Sequence, residues 1–263
     1  MRLVDSHAHV FLKDMPHIPN PRHRIDYDFT VEQYLATLDE HGVERGVIAA
    51  ASPYGDYNDY TIASVRGQRR LRGTVILDPA VERYVLERMN EDGIVGVRLP
   101  FISLEALPDL ASFEYQRLLR RIRDLGWHVH LHLDGPRLPL VLPALDAAGV
   151  KLVLDHYGRP DAKLGIECAG FQMLLRLMQN GRTWVKVSAG YRLGQDAAAS
   201  YGRELLRRCG PDRLLWASDC PFVGHESQVK YRQTIDEALA WLPAGEARDK
   251  VFAANALALY FNE

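Results

Sequence analysis

Short apolar runs alternate along this chain with longer stretches in which apolar residues recur at helical spacing, a pattern that predicts strands and helices in alternation. The first strand, Arg2 to Phe11, comes at once. A loop rich in proline and histidine, Pro16 to His23, follows and is long for a plain strand-to-helix connection, so it is expected to wall the active site or cover it. Thr30, with Gln33 three residues on, predicts a capping box at the start of a helix that runs to His41 and stops at Gly42. Further strands are predicted at 44–51, 71–77, 95–99, 127–133, 151–155, 184–188 and 213–218. Helices are predicted at 56–68, 81–92, 111–125, 138–148, 171–180, 197–209, 228–241 and 246–260. The run Gly46-Val47-Ile48-Ala49-Ala50 is the kind buried on both faces of a parallel sheet. Eight such units predict an α/β chain folded as one (β/α)8 TIM barrel, a single domain over 1–263. A doubly wound open sheet is the competing topology, but no Gly-rich phosphate fingerprint follows the first strand, and no organic cofactor is expected.

Composition narrows the class. A chain of 263 residues, 47% hydrophobic, can bury a large core, and no linker-like stretch divides it. A net charge of −2 leaves no footprint for nucleic acid or an anionic membrane. The basic clusters at 66–72 and 117–123 lack interleaved aromatics and read as solvated faces. Three cysteines, Cys168, Cys209 and Cys220, without C-x-x-C spacing, suit a reducing cytoplasm. No run reaches the ~20 apolar residues of a membrane helix, and no signal-peptide core precedes the first strand.

Candidate chemistry lies at the strand ends, because a barrel of this kind presents its reactive groups at the carboxyl edge. On the first strand Leu3, Asp5, His7 and His9 are expected to share one face, successive members ~7 Å apart, which aims two imidazoles at one point. Such a pair can hold a metal, move a proton, or simply hydrogen-bond. The fourth strand ends in Arg98 and the fifth in His132; His156 follows the sixth, Ser188 and Arg192 the seventh, and Asp219 the eighth. Of the three histidines on the fifth strand, only His132 is expected at the mouth, with His130 in a buried layer and His128 near the floor. Asp219, placed beside the first strand, is the best general base in the chain.

These stretches resemble the amidohydrolase superfamily, in particular its amidohydrolase-2 branch, which contains lactonases of pyrone dicarboxylates and of sugar lactones. The matching segments are Asp5 to Phe11, Gly96 to Leu99, Gly126 to Val129, Leu154 to Pro160, Val185 to Ser188 and Leu215 to Asp219, in the same order over nearly the whole chain. The resemblance implies that Asp219 activates water while His7, His9 and His156 hold the water or polarise the substrate carbonyl. Arg98 and Arg192 would bind carboxylate or oxyanion through the guanidinium fork, although an ion pair at the rim is the alternative for each; His132 and Ser188 would complete the substrate site. Two departures bear on the substrate. The segment Pro100 to Leu104 lacks the basic residue these lactonases carry, and His132 stands where they have tyrosine.

Arg98 also occupies the place of a bridging metal ligand, so a binuclear centre is not expected. One divalent ion, zinc foremost, held by His7, His9, Asp219 and His132 is the metal arrangement implied. The expected activity is hydrolysis of a lactone of a carboxylated small molecule. A metal-dependent decarboxylase of an unsaturated or aromatic acid is the alternative, told apart by release of carbon dioxide. A non-catalytic binding barrel is the third, and in it Asp219→Asn would change nothing.

Overall fold

The computed structural model describes residues 1–263 and contains eight parallel strands: β1 (Val4–Ala8), β2 (Arg45–Ala49), β3 (Leu71–Val75), β4 (Ile94–Leu99), β5 (His128–Leu131), β6 (Lys151–Leu154), β7 (Thr183–Val187) and β8 (Leu214–Trp216). They pair in sequence order from β1 to β8. The seam between the last and first strands closes through a parallel bridge, Ala8 to Cys220, and through the Asp219 amide donating to the His7 carbonyl at 2.9 Å. The main outer helices are α1 (Val31–Glu40), α2 (Asp59–Val65), α3 (Arg83–Glu91), α4 (Phe113–Asp124), α5 (Leu142–Ala147), α6 (Ala169–Leu177), α7 (Gln195–Cys209) and α8 (Tyr231–Leu239), and α9 (Glu246–Asp249) opens the C-terminal helical segment. This is the (β/α)8 barrel that the alternation predicts.

Local chemistry accounts for the elements. The Gln33 amide donates to Thr30 Oγ1 at 3.3 Å and the Thr30 amide to Gln33 Oε1 at 2.7 Å, completing the capping box of α1. Gly42, at φ +65°, turns the chain after it. The helix expected over 138–148 begins only at Leu142. Pro139, which lacks an amide hydrogen, sits in a preceding 3₁₀ turn over Gly135–Leu140.

The apolar core has two parts. Leu38, Leu86, Leu118, Leu174, Leu205 and Ile235 lie between the helices and the outer faces of the strands. Val4, Val47, Val153 and Leu215 point inward at the amino end of the barrel, where Leu257, Tyr260 and Phe261 plug the floor. His128 stands on that floor with its ring 5.2 Å from that of Tyr260. Gly96, beside it, has no room for a side chain, since a Cβ there would lie 2.5 Å from His128 Cε1 and 2.7 Å from the His128 carbonyl oxygen. Gly96→Ala is therefore expected to cost about 1–3 kcal/mol through overpacking, read as a lowered urea midpoint. An unchanged midpoint would show that the floor repacks freely.

The first strand departs from the expectation of one face carrying Leu3, Asp5, His7 and His9. The pairing register of β1 against β2 shifts between Asp5 and Ala8. Leu3 belongs to the outer core and Val4 to the floor, whereas Ala8 and Val10 return to the outer core. The irregularity reverses sidedness within the strand, so Asp5 faces the helices while His7 and His9 face the barrel interior. Asp5 accepts from the Tyr34 hydroxyl of α1 at 3.1 Å, the Tyr231 hydroxyl of α8 at 2.9 Å, and Ser218 Oγ and N at 2.6 and 2.9 Å. It fastens the β8 to β1 seam.

Candidate active site

Two stacked layers of polar side chains fill the carboxyl end of the barrel. The lower layer is built around Asp155, which follows β6 directly and is buried without access to solvent. Its Oδ1 accepts from His7 Nδ1 at 3.0 Å and from His130 Nε2 in a short contact, with Lys186 Nζ 3.6 Å away. Its Oδ2 accepts from Arg98 Nη2 at 3.3 Å. Lys186 Nζ stands 3.0 Å from His130 Nε2 and 3.2 Å from His7 Nδ1. The register that pairs Arg98 with His130 across β4 and β5 is what places that guanidinium over the layer. Burial alone would raise the Asp155 carboxyl, but His130, His7 and Lys186 outweigh it and hold it well below the usual carboxylate range. Burial lowers His7 and His130 far below their ordinary value and brings Lys186 down to about 8. The layer at neutral pH thus consists of a charged carboxylate, neutral imidazoles, and largely protonated Lys186.

The upper layer faces the pocket. Asp219 follows β8, and its two oxygens have separate tasks. Oδ2 accepts from the Tyr191 hydroxyl at 2.6 Å and from Arg192 Nε at 3.0 Å. Oδ1 faces three imidazole nitrogens, with His7 Nε2 at 3.5 Å, His9 Nε2 at 3.7 Å and His156 Nε2 at 3.8 Å. Burial pushes the Asp219 carboxyl up, but His156, Arg192, His7 and His9 together push it well below the ordinary value, so it is ionised. Burial lowers His9 and His156 to about 4, and both are neutral. His156 at φ +50°, Ala189 at +53° and Asp219 at +66° occupy the left-handed region just past three successive strands, where the chain bends outward to form the pocket.

Hydrogen-bond partners assign the tautomers. His9 Nδ1 donates to the Ala49 carbonyl at 2.7 Å, and His7 Nδ1 donates to a carboxylate that can only accept. Both Nε2 atoms consequently carry lone pairs, and they face each other at 3.2 Å beside Asp219 Oδ1. Three electron-pair donors of His7, His9 and Asp219 within 4.8 Å of one another suit a divalent cation, and the nitrogen-rich set fits zinc. His7, Asp155 and His156 form a second such group.

His132 lies outside both groups. Its Nδ1 is 3.5 Å from Arg98 Nη2, and its Nε2 is buried with no partner. The residue expected as fourth ligand thus lines the pocket wall beside Arg98. Ser188 does not line the pocket; its Oγ sits 2.9 Å from His156 Nδ1, behind the ring. Arg192 is held by Asp219 and by the Val223 carbonyl at 2.9 Å, the rim ion pair of the sequence alternatives. Asp155, Lys186 and Tyr191 join the site without a motif that marks them in the sequence. A lysine inside the apolar strand Thr183–Val187 was the available signal, since a charge buried there needs partners.

The pocket is an open cleft lined by His9, Arg98, His132, His156, Arg192 and Asp219, with Arg22, His23 and Ile25 from the loop after β1 forming one wall. That loop is the wall its length and composition predict.

A barrel that gathers imidazoles from β1 and β6 around an aspartate after β8 defines an amidohydrolase-type site. The family model for amidohydrolases (Amidohydro_2) matches residues 4–261, and the chain belongs to that family. It is 26% identical to 2-pyrone-4,6-dicarboxylate hydrolase of Comamonas testosteroni over 99% of this chain and 90% of that one. It is 27% identical to 4-sulfomuconolactone hydrolase of Rhizobium radiobacter, over 84% and 76% of the two chains. Its backbone superimposes with a TM-score of 0.94 on the crystal structure of a probable 2-pyrone-4,6-dicarboxylic acid hydrolase from Acinetobacter baumannii with citric acid bound, 30% identical over 99% and 100% of the chains. A manganese-bound dihydroxybenzoic acid decarboxylase from Polaromonas, at 17% identity and a TM-score of 0.71, shares the fold alone. No helix is long and apolar enough to cross a membrane.

Proposed function

We propose that this protein hydrolyses a lactone of a carboxylated small molecule. The observation that carries the proposal is Asp219 Oδ1, an ionised oxygen open to the pocket and ringed by three neutral imidazoles. Water lodged against Oδ1 passes a proton to it as the water oxygen attacks the lactone carbonyl; collapse of the tetrahedral intermediate breaks the ring C–O bond, and the proton on Asp219 goes to the departing ring oxygen. Arg98 is the donor at the pocket wall suited to the developing oxyanion, and His132, with its unpartnered Nε2, stands beside it. Tyr191 and Arg192 hold the other Asp219 oxygen, and Ser188 orients His156. His7, His9 and Asp219 would hold a divalent ion, zinc fitting best, which when bound supplies Lewis acidity toward the carbonyl and toward water. Hydrolase relatives named for a pyrone dicarboxylate and a muconolactone support lactone opening over decarboxylation. Three unpaired cysteines support a reducing, cytoplasmic setting.

The test is a panel of pyrone dicarboxylates, muconolactones and aldonolactones followed by pH-stat. One acid equivalent per turnover with no carbon dioxide is expected; gas release would transfer the site to decarboxylation. Dialysis against a chelator is expected to lower the rate at least about tenfold and added zinc to restore it, with close to one ion per chain by elemental analysis. A metal-free protein of undiminished rate would assign the His7, His9 and Asp219 set to proton transfer alone.

A further inference from the structure

The charges at the pocket mouth do not balance, and one guanidinium there has no carboxylate beside it. Arg98 has Asp155 at 3.3 Å, Arg159 has Asp134 at 3.0 Å, and Arg192 has Asp219 at 3.0 Å. Each of these guanidiniums has a protein carboxylate as counter-ion. Arg22, on the loop between β1 and α1, has no hydrogen bond or ion pair, although it lines the catalytic pocket and both clefts that open beside it. Partial burial, and after it repulsion from two more arginines, Arg159 and Arg192, depresses its basicity. Of the nearby acids, Asp134 and Asp219 are paired, Glu226 accepts from the Tyr27 hydroxyl at 2.8 Å and the Gly224 amide at 2.9 Å, and Asp26, exposed in the adjoining cleft, forms no ion pair with Arg22. A guanidinium facing like charges across a substrate pocket is a vacancy for an anion.

We propose that Arg22 is the specificity residue that pairs with an acid group of the substrate, a carboxylate or sulfonate projecting from the lactone ring toward the mouth. Recognition of that group then resides on the β1 to α1 loop, while Arg98, which shares Asp155 with Lys186, and Arg192, paired with Asp219, serve the reacting carbonyl and the base. This rests on the lactone-hydrolase proposal for the substrate.

A carboxylated lactone accepted by the enzyme is compared with its methyl ester, which lacks only the charge. Arg22→Met is expected to lower the preference for acid over ester, as the ratio of kcat/KM values, by at least about tenfold, mainly through KM for the acid, with Arg22→Lys intermediate. Arg24→Met, an exposed arginine two residues away that does not line the catalytic pocket, is expected to leave the ratio at the wild-type value. An unchanged ratio in Arg22→Met, or an equal fall in Arg24→Met, overturns the assignment. Should the wild type open no lactone, the proposed activity fails while Arg22 is still tested by calorimetry with citrate. Binding weakened at least about tenfold in Arg22→Met supports the assignment, and equal binding, including none by either protein, overturns it.

Discussion

Asp219→Asn is expected to lower kcat/KM for lactone opening by at least about a thousandfold, because a neutral amide cannot take the proton that the attacking water must lose. The carboxylate is the only ionised acceptor facing the three imidazole Nε2 atoms. The amide keeps the shape of the carboxylate and one oxygen for Tyr191 and Arg192, so the barrel should retain its circular dichroism and most of its thermal midpoint. Product formation in a pH-stat is the measurement. A loss under about tenfold would remove Asp219 from its role as base and return the protein to the class of binding barrels.

The second large effect is on stability. Asp155→Asn removes the one carboxylate of the lower layer and leaves Lys186, with no exposure, and Arg98, nearly so, as buried cations without a counter-charge. It also turns an amide hydrogen or a neutral oxygen toward His7 Nδ1 and His130 Nε2, each of which now meets a full negative charge. Breaking a buried ion pair from one side typically costs about 3–5 kcal/mol, which for a chain of this size is a fall of roughly 6–20 °C in Tm. Asp134→Asn is the control. It removes an acid from an ion pair with Arg159 at 3.0 Å, but that acid is 43% exposed, and the expected cost is within about 1 kcal/mol. Differential scanning calorimetry decides the matter, and similar midpoints for the two variants would show that Lys186 and Arg98 are neutralised by something other than Asp155.

The part of the molecule that repeats was legible in the sequence. Alternating apolar runs and amphipathic stretches prescribe the barrel because each strand must be covered by a helix, and the carboxyl ends of those strands lead to His7, His9, His132, His156 and Asp219 without knowledge of any distance. What the pattern could not convey is the direction of side chains past the last paired residue. Asp155 looks like a turn-former closing an apolar run, yet the left-handed step at His156 sends the chain away and leaves the carboxylate beneath the site. Tyr191 meets Asp219 only because Ala189 takes the same conformation after β7. Strand ends blurred for a related reason: the run 213–218 reads as continuous strand, but Ser218 is drawn to Asp5 and β8 ends at Trp216. His132 stands beside Arg98, a neighbour that the strand pattern alone does not disclose.

The break in alternation between Asp5 and Ala8 ties two jobs to one peptide. Upstream of it the polypeptide presents a fastener to the outer shell; downstream it presents two reagents to the cavity. Loss of one residue at Ser6 would restore an unbroken zigzag and turn either the fastener inward or the reagents outward. Drift in length, ordinarily tolerated at the margins of a barrel, is forbidden at this spot, where assembly of the cylinder and its chemistry share a single frame.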